Sequence, residues 1–303
     1  MKQLVANIIP ATNLAGVREQ IFSYTVPEGI TVAKGMIVKI PFGSRMICGA
    51  VVSTDQVDTE QMTLKPIISV LSEEPLFTPE LYELAQFISR QYLCSLALAV
   101  KMLLPKIAPR VRVLKNDLMP QTTAGQNAIT LNADQSLAAK SIASSFGRAS
   151  TFLLFGVTGS GKTEVYMTAA EKALRAGKQI LLLVPEIALT PQTLNRLIFR
   201  FPRELVAVSH SKISYGQKYL IWKKIYSGEI KILIGPRSAL FAPFRNLGLI
   251  AIDEEHDSSY KQSDQNPKFH SRTVAEKLSQ LWNCPLILGD ATPSVETYYR
   301  AEQ

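Results

Sequence analysis

The stretch Gly156-Val157-Thr158-Gly159-Ser160-Gly161-Lys162-Thr163 decides the fold of this chain. It follows the apolar run 151–155, which is typical of a buried strand, and precedes a helical pattern at 164–176 that Gly177 ends. Between a strand and a helix, such glycines let backbone N–H groups approach phosphates, while a lysine reaches the outer phosphates and a hydroxyl holds Mg²⁺. The alternative, a glycine-rich turn without a ligand, leaves the order of strand, loop and helix unexplained.

A second motif lies where the apolar strand 250–252 runs into Asp253-Glu254-Glu255-His256. Open α/β sheets bind their ligands at the carboxyl ends of the strands. We therefore expect Asp253 to hold Mg²⁺ opposite Thr163, and Glu254 to orient and deprotonate an attacking water. The metal and Lys162 would neutralise charge on the transferred phosphoryl group. Without the glycine loop, a solvated acidic strand end would explain these residues equally well.

Length and composition set the limits for function. A chain of 303 residues with 47% hydrophobic residues predicts two domains or one large one. The net charge of +8 predicts an anionic partner, without saying whether that is nucleic acid or membrane. No signal-peptide pattern and no long apolar run is found, so we expect a cytoplasmic protein. Cys48, Cys94 and Cys284 are far apart in apolar surroundings, which favours buried, reduced thiols over a disulfide or zinc site.

The first 105 residues read as a β-rich domain. Four short, turn-bounded runs at 4–9, 21–26, 36–41 and 47–53 predict a small barrel or sandwich. Helical spacing predicts a helix from Thr78 to Ser89, with Thr78 as N-cap, and a second helix over 96–104. Prolines, cations and weak periodicity then predict a basic linker over 106–130.

Residues 131–303 alternate between strand and helix patterns, which predicts a mainly parallel sheet covered by helices on both faces. The predicted strands are 151–155, 179–184, 205–208, 230–234, 247–252 and 285–288, and the predicted helices are 164–176, 190–200, 214–226 and 271–281.

Several further segments have the composition of binding loops. Thr190, Arg237 and Ser238 lie in proline-containing loops after strands, where they could contact a nucleic-acid backbone, and Thr292 could relay the phosphate state to that contact. Ordinary turn chemistry is the alternative for each. Gln135 opens a predicted helix, and its amide could pair with the adenine edge or simply cap that helix.

Aromatic residues lie among basic and amide residues over 258–270, a composition that suits base stacking and phosphate contact on single strands. A mobile surface loop is the alternative. The candidates for DNA contact in this segment are Tyr260, Lys261, Lys268 and Phe269.

Together the motifs G-V-T-G-S-G-K-T-E-V-Y, V-P-E-I-A-L-T-P-Q, R-S-A-L-F-A-P-F, I-D-E-E-H-D-S-S-Y-K-Q and A-T-P-S resemble the bacterial primosomal protein N′ (PriA) family, the replication-restart helicases of superfamily 2. Phe22-x-Tyr24-x-x-Pro27, Pro41-Phe42-Gly43 and Gly49 resemble the family's amino-terminal module. The resemblance implies a RecA-like P-loop helicase lobe of α/β class, preceded by a small β-rich domain that binds a DNA 3′ end.

The resemblance also implies 3′ to 5′ unwinding of DNA, loading of the replicative helicase and use of ATP and Mg²⁺. The implied partners are forked or single-stranded DNA, other primosome proteins and single-strand-binding protein, and no membrane. The implied protein is a monomer associated with the nucleoid. The implied nucleotide-binding residues are Gln135, Gly156, Thr158, Gly159, Ser160, Gly161, Lys162 and Thr163, the implied catalytic core is Lys162, Thr163, Asp253 and Glu254, and the residues matched to 3′-end binding are Phe22, Tyr24 and Gly43.

The chain departs from the family pattern at four points. Segment 106–130 is too short for a winged-helix domain, Ser23 replaces a residue that is often acidic, and Asp290 replaces a small hydroxyl residue. The chain also ends at Gln303, before a second lobe with its arginine finger and zinc insertion. We therefore expect residues 1–303 to bind ATP–Mg²⁺ and branched DNA, to hydrolyse ATP poorly, and not to unwind DNA alone. The alternatives are a non-catalytic fork-binding or regulatory module with a vestigial nucleotide site, and an unrelated P-loop ATPase such as a transporter subunit.

Overall fold

The computed structural model describes residues 2–14, 20–60, 62–107, 130–189, 194 and 200–303. These residues form two compact units: one comprises those up to Ile107 together with Asp264–Lys268, and the other comprises the remainder. Nearly all of the predicted linker 106–130 lies outside the described residues. Within the described ranges, no helix is both long and apolar enough to cross a membrane.

The first unit is built on one antiparallel sheet of five strands in the order β2-β1-β4-β3-β5. Backbone hydrogen bonds also join Thr25 on β2 to Lys65 and Ile67, just before β5, so the two edges approach each other as in the predicted small barrel. The strands are β1 Lys2–Pro10, β2 Phe22–Thr25, β3 Ile37–Phe42, β4 Arg45–Asp58 and β5 Ser69–Ser72.

All four predicted strands of this unit are present, and β5 was missed because a four-residue strand with two serines has no clear alternation. Gly49 is required where β4 pairs with β1, since a Cβ there would lie 2.4 Å from a methyl group of Ile8. Both predicted helices are confirmed as α1 Pro79–Gln91 and α2 Leu96–Leu103. Thr78 caps α1 by accepting a hydrogen bond from the N–H of Leu81.

The second unit contains a six-stranded sheet in the order β6-β11-β10-β7-β9-β8, in which every pairing is parallel. Neighbouring residues of the central strands point to opposite faces and are buried on both, as for Leu181 and Leu182 of β7, which confirms a covered parallel sheet. The strands are β6 Thr151–Phe155, β7 Gln179–Leu183, β8 Val206–Val208, β9 Ile232–Gly235, β10 Leu247–Asp253 and β11 Leu286–Asp290.

The helices of this unit are α3 Ala133–Ser144, α4 Lys162–Arg175, α5 Tyr215–Ser227, α6 Ser271–Trp282 and α7 Val295–Glu302. Helix α4 begins two residues before the predicted start, because Gly161, at φ 83°, directs the glycine loop straight into the helix. Helix α7 was not predicted from the sequence, although Ser294 caps it. The predicted helix 190–200 lies outside the described residues except for Leu194, which is helical, and Arg200.

Candidate nucleotide-binding site

The glycine loop between β6 and α4 depends on its glycines. Gly159 and Gly161 have φ angles of 81° and 83°, in the left-handed region that favours glycine. A Cβ on Gly161 would also lie 2.4 Å from the side-chain nitrogen of Gln135. The backbone N–H of Gly156 binds the carbonyl of Asp290 at 3.1 Å, so the loop starts from the carboxyl end of the neighbouring strand β11.

The amino terminus of α4 lacks the side-chain cap that the other described α-helices have. Gly161 occupies the N-cap position and makes no side-chain hydrogen bond. The first-turn N–H groups of an α-helix have no partner inside the helix, and together with the helix dipole they form an anion site. A phosphate therefore fits this end of α4. The capping side chains of the other helices belong to Thr78, Ser95, Asn132, Ser214, His270 and Ser294.

Lys162 folds over the loop that precedes it. Its ammonium group donates to the carbonyl of Gly156 at 2.5 Å and to that of Val157 at 3.2 Å. Its charge also lowers the pKa of Asp253, although burial has the larger, opposite effect. Lys162 thus stands between the loop and the acidic segment, where a phosphate oxygen could replace the carbonyls as its partner.

Asp253 ends β10 and is held from two sides. Its Oδ1 atom accepts from the hydroxyl of Tyr166 on α4 at 3.1 Å, and its backbone carbonyl accepts from the hydroxyl of Tyr260 at 2.7 Å. Burial raises the pKa of Asp253, and the hydrogen bond from Tyr166 acts in the opposite direction. A carboxylate whose pKa is raised by burial is stabilised when a cation binds to it. Asp253 therefore suits the role of a magnesium ligand.

Gly289 on β11 makes room for the contact between Tyr166 and Asp253. A Cβ at position 289 would lie 1.3 Å from the hydroxyl oxygen of Tyr166. The Tyr166 side chain is itself fully buried. Three elements therefore meet at Asp253, and glycine is the residue that fits between them.

Glu254 is exposed and has a φ of 51°, a left-handed conformation that costs a non-glycine residue about 1 kcal/mol. Strain of this kind persists where the surroundings impose it, and it concentrates at functional sites. Partial burial of its carboxyl group, followed by the charges of Asp253 and Asp257, raises the pKa of Glu254. A carboxylate with a raised pKa is a better general base at neutral pH.

Glu255 is buried and connects β10 to two helices. Its carboxylate accepts from the guanidinium of Arg272 on α6 and from the hydroxyls of Ser294, at 3.1 Å, and Thr297. These interactions outweigh the effect of burial, so the pKa of Glu255 is lowered. The segment after β10 is thereby fixed to the amino termini of α6 and α7, and Glu255 is not available as a base.

Asp290 joins the acidic segment to the loop after β11. Its buried carboxylate accepts from the N–H of His256 at 2.8 Å and from that of Thr292 at 2.7 Å, and it lies 2.8 Å from Nδ1 of His256. The hydrogen bond to Asp290 raises the pKa of His256. Asp290, which departs from the family motif, thus makes three polar contacts. The relay role of Thr292 stays a prediction.

Gln135 is a helix cap and also supports the glycine loop. It forms a capping box with Asn132, which confirms the helix-cap alternative, and its Nε2 atom donates to the carbonyl of Ser160 at 2.8 Å. Each side of the amide keeps a second hydrogen-bonding position. Its role in reading adenine stays a prediction.

Of the DNA-contacting residues predicted in the second unit, Arg237 binds a neighbouring loop and Lys261 is exposed. Arg237 donates to the carbonyls of Ser259, at 2.8 Å, and Lys261, so the loop after β9 is joined to the segment after β10. Ser238 follows on the same short 3-10 helix, Arg237–Phe241. Lys261 is exposed, as a phosphate contact needs to be, and so is Lys268, which belongs to the first unit. Thr190 lies outside the described residues.

The two predicted stacking rings are buried, which corrects that part of the prediction. Phe269 packs edge-to-face on Phe241 with ring centroids 5.4 Å apart, and Tyr260 is buried with its hydroxyl bonded to Asp253. The sequence around these rings does not indicate the distant residues on which they pack. Neither ring is placed to stack on a base, and Tyr260 instead supports the acidic segment.

The residues matched to DNA-end binding lie together in the first unit. Phe22 packs edge-to-face on Phe42, the residue before Gly43, with ring centroids 5.2 Å apart. Tyr24 is buried and donates to the carbonyl of Pro41 at 3.1 Å. Phe22 and Tyr24 thus contact the end of β3, at the turn that contains Gly43, whose φ is 58°.

The parallel sheet, the glycine loop with its uncapped helix and the acidic strand end define a lobe of the P-loop class. The family model for DEAD/DEAH box helicase matches residues 132–300, and that for the PriA 3′DNA-binding domain (3′BD) matches residues 9–105. The chain therefore belongs to the DEAD/DEAH box helicases and, within them, to the PriA replication-restart family.

Curated relatives agree with this assignment. The replication restart protein PriA of Treponema pallidum is 40% identical over 88% of this chain and 40% of the relative. That of Haemophilus influenzae is 33% identical over 92% of this chain and 48% of the relative, and that of Bacillus subtilis is 54% identical over 50% and 19%. The chain thus spans less than half the length of these relatives.

Proposed function

We propose that this chain contributes to ATP-dependent 3′ to 5′ DNA unwinding during replication restart, with ATP–Mg²⁺ bound at residues 156–163. Membership of a helicase family supports nucleotide and Mg²⁺ use in general. The observation that carries the specific proposal is the uncapped amino terminus of α4 beside Lys162 and Asp253. In this role, the DNA-end-binding domain is residues 1–105 and the ATP-binding domain is residues 131–303.

The loop N–H groups and Lys162 bind and orient the phosphates, with Lys162 exchanging the carbonyls of Gly156 and Val157 for phosphate oxygens. Thr163 and Asp253 would hold Mg²⁺, which supplies charge neutralisation on the phosphoryl oxygens when bound. Glu254 orients the attacking water and takes its proton. Tyr166 keeps the Asp253 carboxylate in one orientation throughout.

DNA contact would reach the site through the segment after β10. Arg237, Ser238 and Lys261, with Thr190 and Lys268, are proposed to contact the phosphate backbone. Arg237 already holds the backbone on either side of Tyr260, whose hydroxyl bonds to Asp253. Phosphates that compete for Arg237 would therefore alter the support of the catalytic segment.

We expect residues 1–303 alone to hydrolyse ATP slowly. Of the arginines beside the acidic segment, Arg272 is held by Glu255 and Arg237 by backbone carbonyls. A cation that meets the γ-phosphate in the transition state contributes about 10³-fold or more in comparable enzymes. Primosome proteins and single-strand-binding protein are the proposed partners. The protein would act as a cytoplasmic monomer associated with the nucleoid.

A DNA-stimulated ATPase assay on residues 1–303 tests this proposal. We expect a low rate that forked DNA raises, and loss of that rate in Lys162→Ala and Glu254→Gln but not in Lys140→Ala, an exposed control on α3. Rapid hydrolysis by the isolated chain would overturn the slow-turnover claim. DNA binding combined with ATP binding that does not depend on Lys162 would favour the fork-binding module with a vestigial site.

A further inference from the structure

The amino-terminal edge of the six-stranded sheet, opposite the nucleotide site, is lined with cations. Because the strands are parallel, the turns that precede them all meet at this one edge. Five of the six strands have an arginine or lysine within the three residues before them. In sheet order these basic-edge residues are Arg148 before β6, Arg245 before β10, Lys178 before β7, Lys231 before β9 and Arg203 before β8.

Two of the turns that carry these cations, those before β9 and β10, are joined by one buried side chain. The amide of Gln179 donates to the carbonyls of Ile225 and Ile230, at 2.8 and 3.0 Å, and accepts from the N–H groups of Arg245 and Asn246, at 2.9 and 3.1 Å. These four bonds use the full hydrogen-bonding capacity of an amide. The backbone at the middle of the basic edge, where Arg245, Lys178 and Lys231 lie, is therefore held in one arrangement.

Charge is segregated between the two edges of the sheet. Asp253, Glu254 and Asp290 lie at the carboxyl edge, whereas the carboxylates in the turns of the amino-terminal edge are Glu204 and Glu229. Glu229 accepts a hydrogen bond from Ser227 at 2.8 Å. A polyanion would thus meet attraction at the basic edge and repulsion at the acidic segment.

The dimensions fit a nucleic-acid backbone. Strands about 4.8 Å apart place the first and last turns of a six-stranded sheet about 24 Å apart. That length corresponds to about seven base pairs at about 3.4 Å each. Arg148, Arg203 and Arg245 are exposed along it.

We propose that the basic edge binds the sugar–phosphate backbone of duplex DNA, as a contact separate from the loops at the carboxyl edge. Duplex is favoured over single strand because single-strand sites expose aromatic rings for stacking. Tyr226, which lies beside the row, is instead covered by the guanidinium of Arg245, 5.1 Å from its centroid. The contact does not depend on the nucleotide site.

The test compares two double variants of equal charge change. Arg148→Gln with Arg245→Gln alters the basic edge, and Lys140→Gln with Arg300→Gln is the control, on α3 and α7. Anisotropy of a short blunt duplex across a salt series gives the slope of log affinity against log salt. We expect the slope to fall in magnitude by about 1.8 in the first variant, about 0.9 for each lost phosphate contact, and to be unchanged in the control.

Three results would overturn the proposal. The first is equal slopes in the two variants. The second is a lowered melting temperature with unchanged duplex affinity. That result would assign Arg148 and Arg245 to the carboxyl ends of α3 and α5, where Arg148 donates to the carbonyl of Ser144 at 2.9 Å and cations stabilise the helix dipole. The third is a loss of single-strand affinity as large as the loss of duplex affinity. ATP binding is expected to stay unchanged in both variants, so failure here is separate from failure of the ATPase proposal.

Discussion

The hydroxyl of Tyr166 donates a hydrogen bond to Oδ1 of Asp253 over 3.1 Å, joining the helix that follows the glycine loop to the strand end that would hold the metal. The two residues are 87 positions apart in the sequence. Because both groups are largely buried, the contact fixes the carboxylate in one orientation. The nucleotide site is therefore a product of tertiary packing as much as of its two motifs.

Tyr166→Phe removes this hydrogen bond while keeping the ring. We expect the stability of the folded chain to fall by about 1–3 kcal/mol, since the acceptor is a buried carboxylate. ATP binding without Mg²⁺ should be nearly unchanged, whereas the gain in affinity on adding Mg²⁺ should shrink. Titration with a fluorescent ATP analogue, with and without Mg²⁺, measures both. Tyr219→Phe is the matched control on α5, and an equal gain from Mg²⁺ in both variants would contradict the positioning role.

Gly289→Ala places a methyl group where the Tyr166 hydroxyl lies. Overpacking of this kind typically costs about 1–3 kcal/mol, and the ring must move away from Asp253. The double variant with Tyr166→Phe should therefore be less destabilised than the sum of the two single variants, because both act on one contact. Urea unfolding of the four proteins gives the coupling, and simple additivity would refute the shared mechanism.

The His256–Asp290 pair predicts a pH dependence of stability. The pKa of His256 is raised, so its contribution is present below about pH 6.5, the ordinary histidine pKa, and is lost as pH rises through its folded-state pKa. Burial raises the pKa of Asp290, but the N–H of Thr292 and the imidazole lower it overall, so its contribution is lost in acid. We expect His256→Gln to reduce the loss of stability between pH 5.5 and 8.5.

Melting temperatures across this range measure the effect. It should be small, at most about 1 kcal/mol, because the His256 side chain is 48% exposed and solvent screens the pair. His210→Gln is the control, since burial lowers the pKa of His210 and the sign of its contribution is opposite. A steeper pH dependence in His256→Gln than in the parent chain would show that the pairing is not stabilising.

Gln135→Ala separates loop support from base recognition. Loss of the cap should cost about 1 kcal/mol of stability, whatever nucleotide is present. If the amide also reads adenine, the variant should lose its preference for ATP over GTP, in addition to a general weakening. Asn132→Ala removes the other half of the capping box and serves as control. Equal loss of ATP and GTP affinity would leave Gln135 with the support role alone.

Much of the fold could be predicted because its signals are local. A few consecutive residues are enough to predict the glycine loop, the strand before it and the helix after it. The Thr78 cap is likewise predicted from neighbouring residues. The contacts that complete the site are not local: Tyr166 reads as an ordinary helix residue, and Gly289 as a turn glycine. Tyr260 and Phe269 misled the sequence interpretation, because aromatic rings in a polar segment suggest exposure, whereas here they pack inward on distant residues such as Phe241.

The most direct measurement is calorimetric titration of ATP–Mg²⁺ into residues 1–303 and into Lys162→Ala. We expect one site, with affinity at least about tenfold weaker in the variant, since a lost charge-assisted hydrogen bond is worth about 1.5–3 kcal/mol. Lys140→Ala should bind as the parent chain does. Equal affinity in the parent chain and Lys162→Ala, or no binding to a correctly folded parent chain, would contradict the assignment of the nucleotide site to Gly156–Thr163.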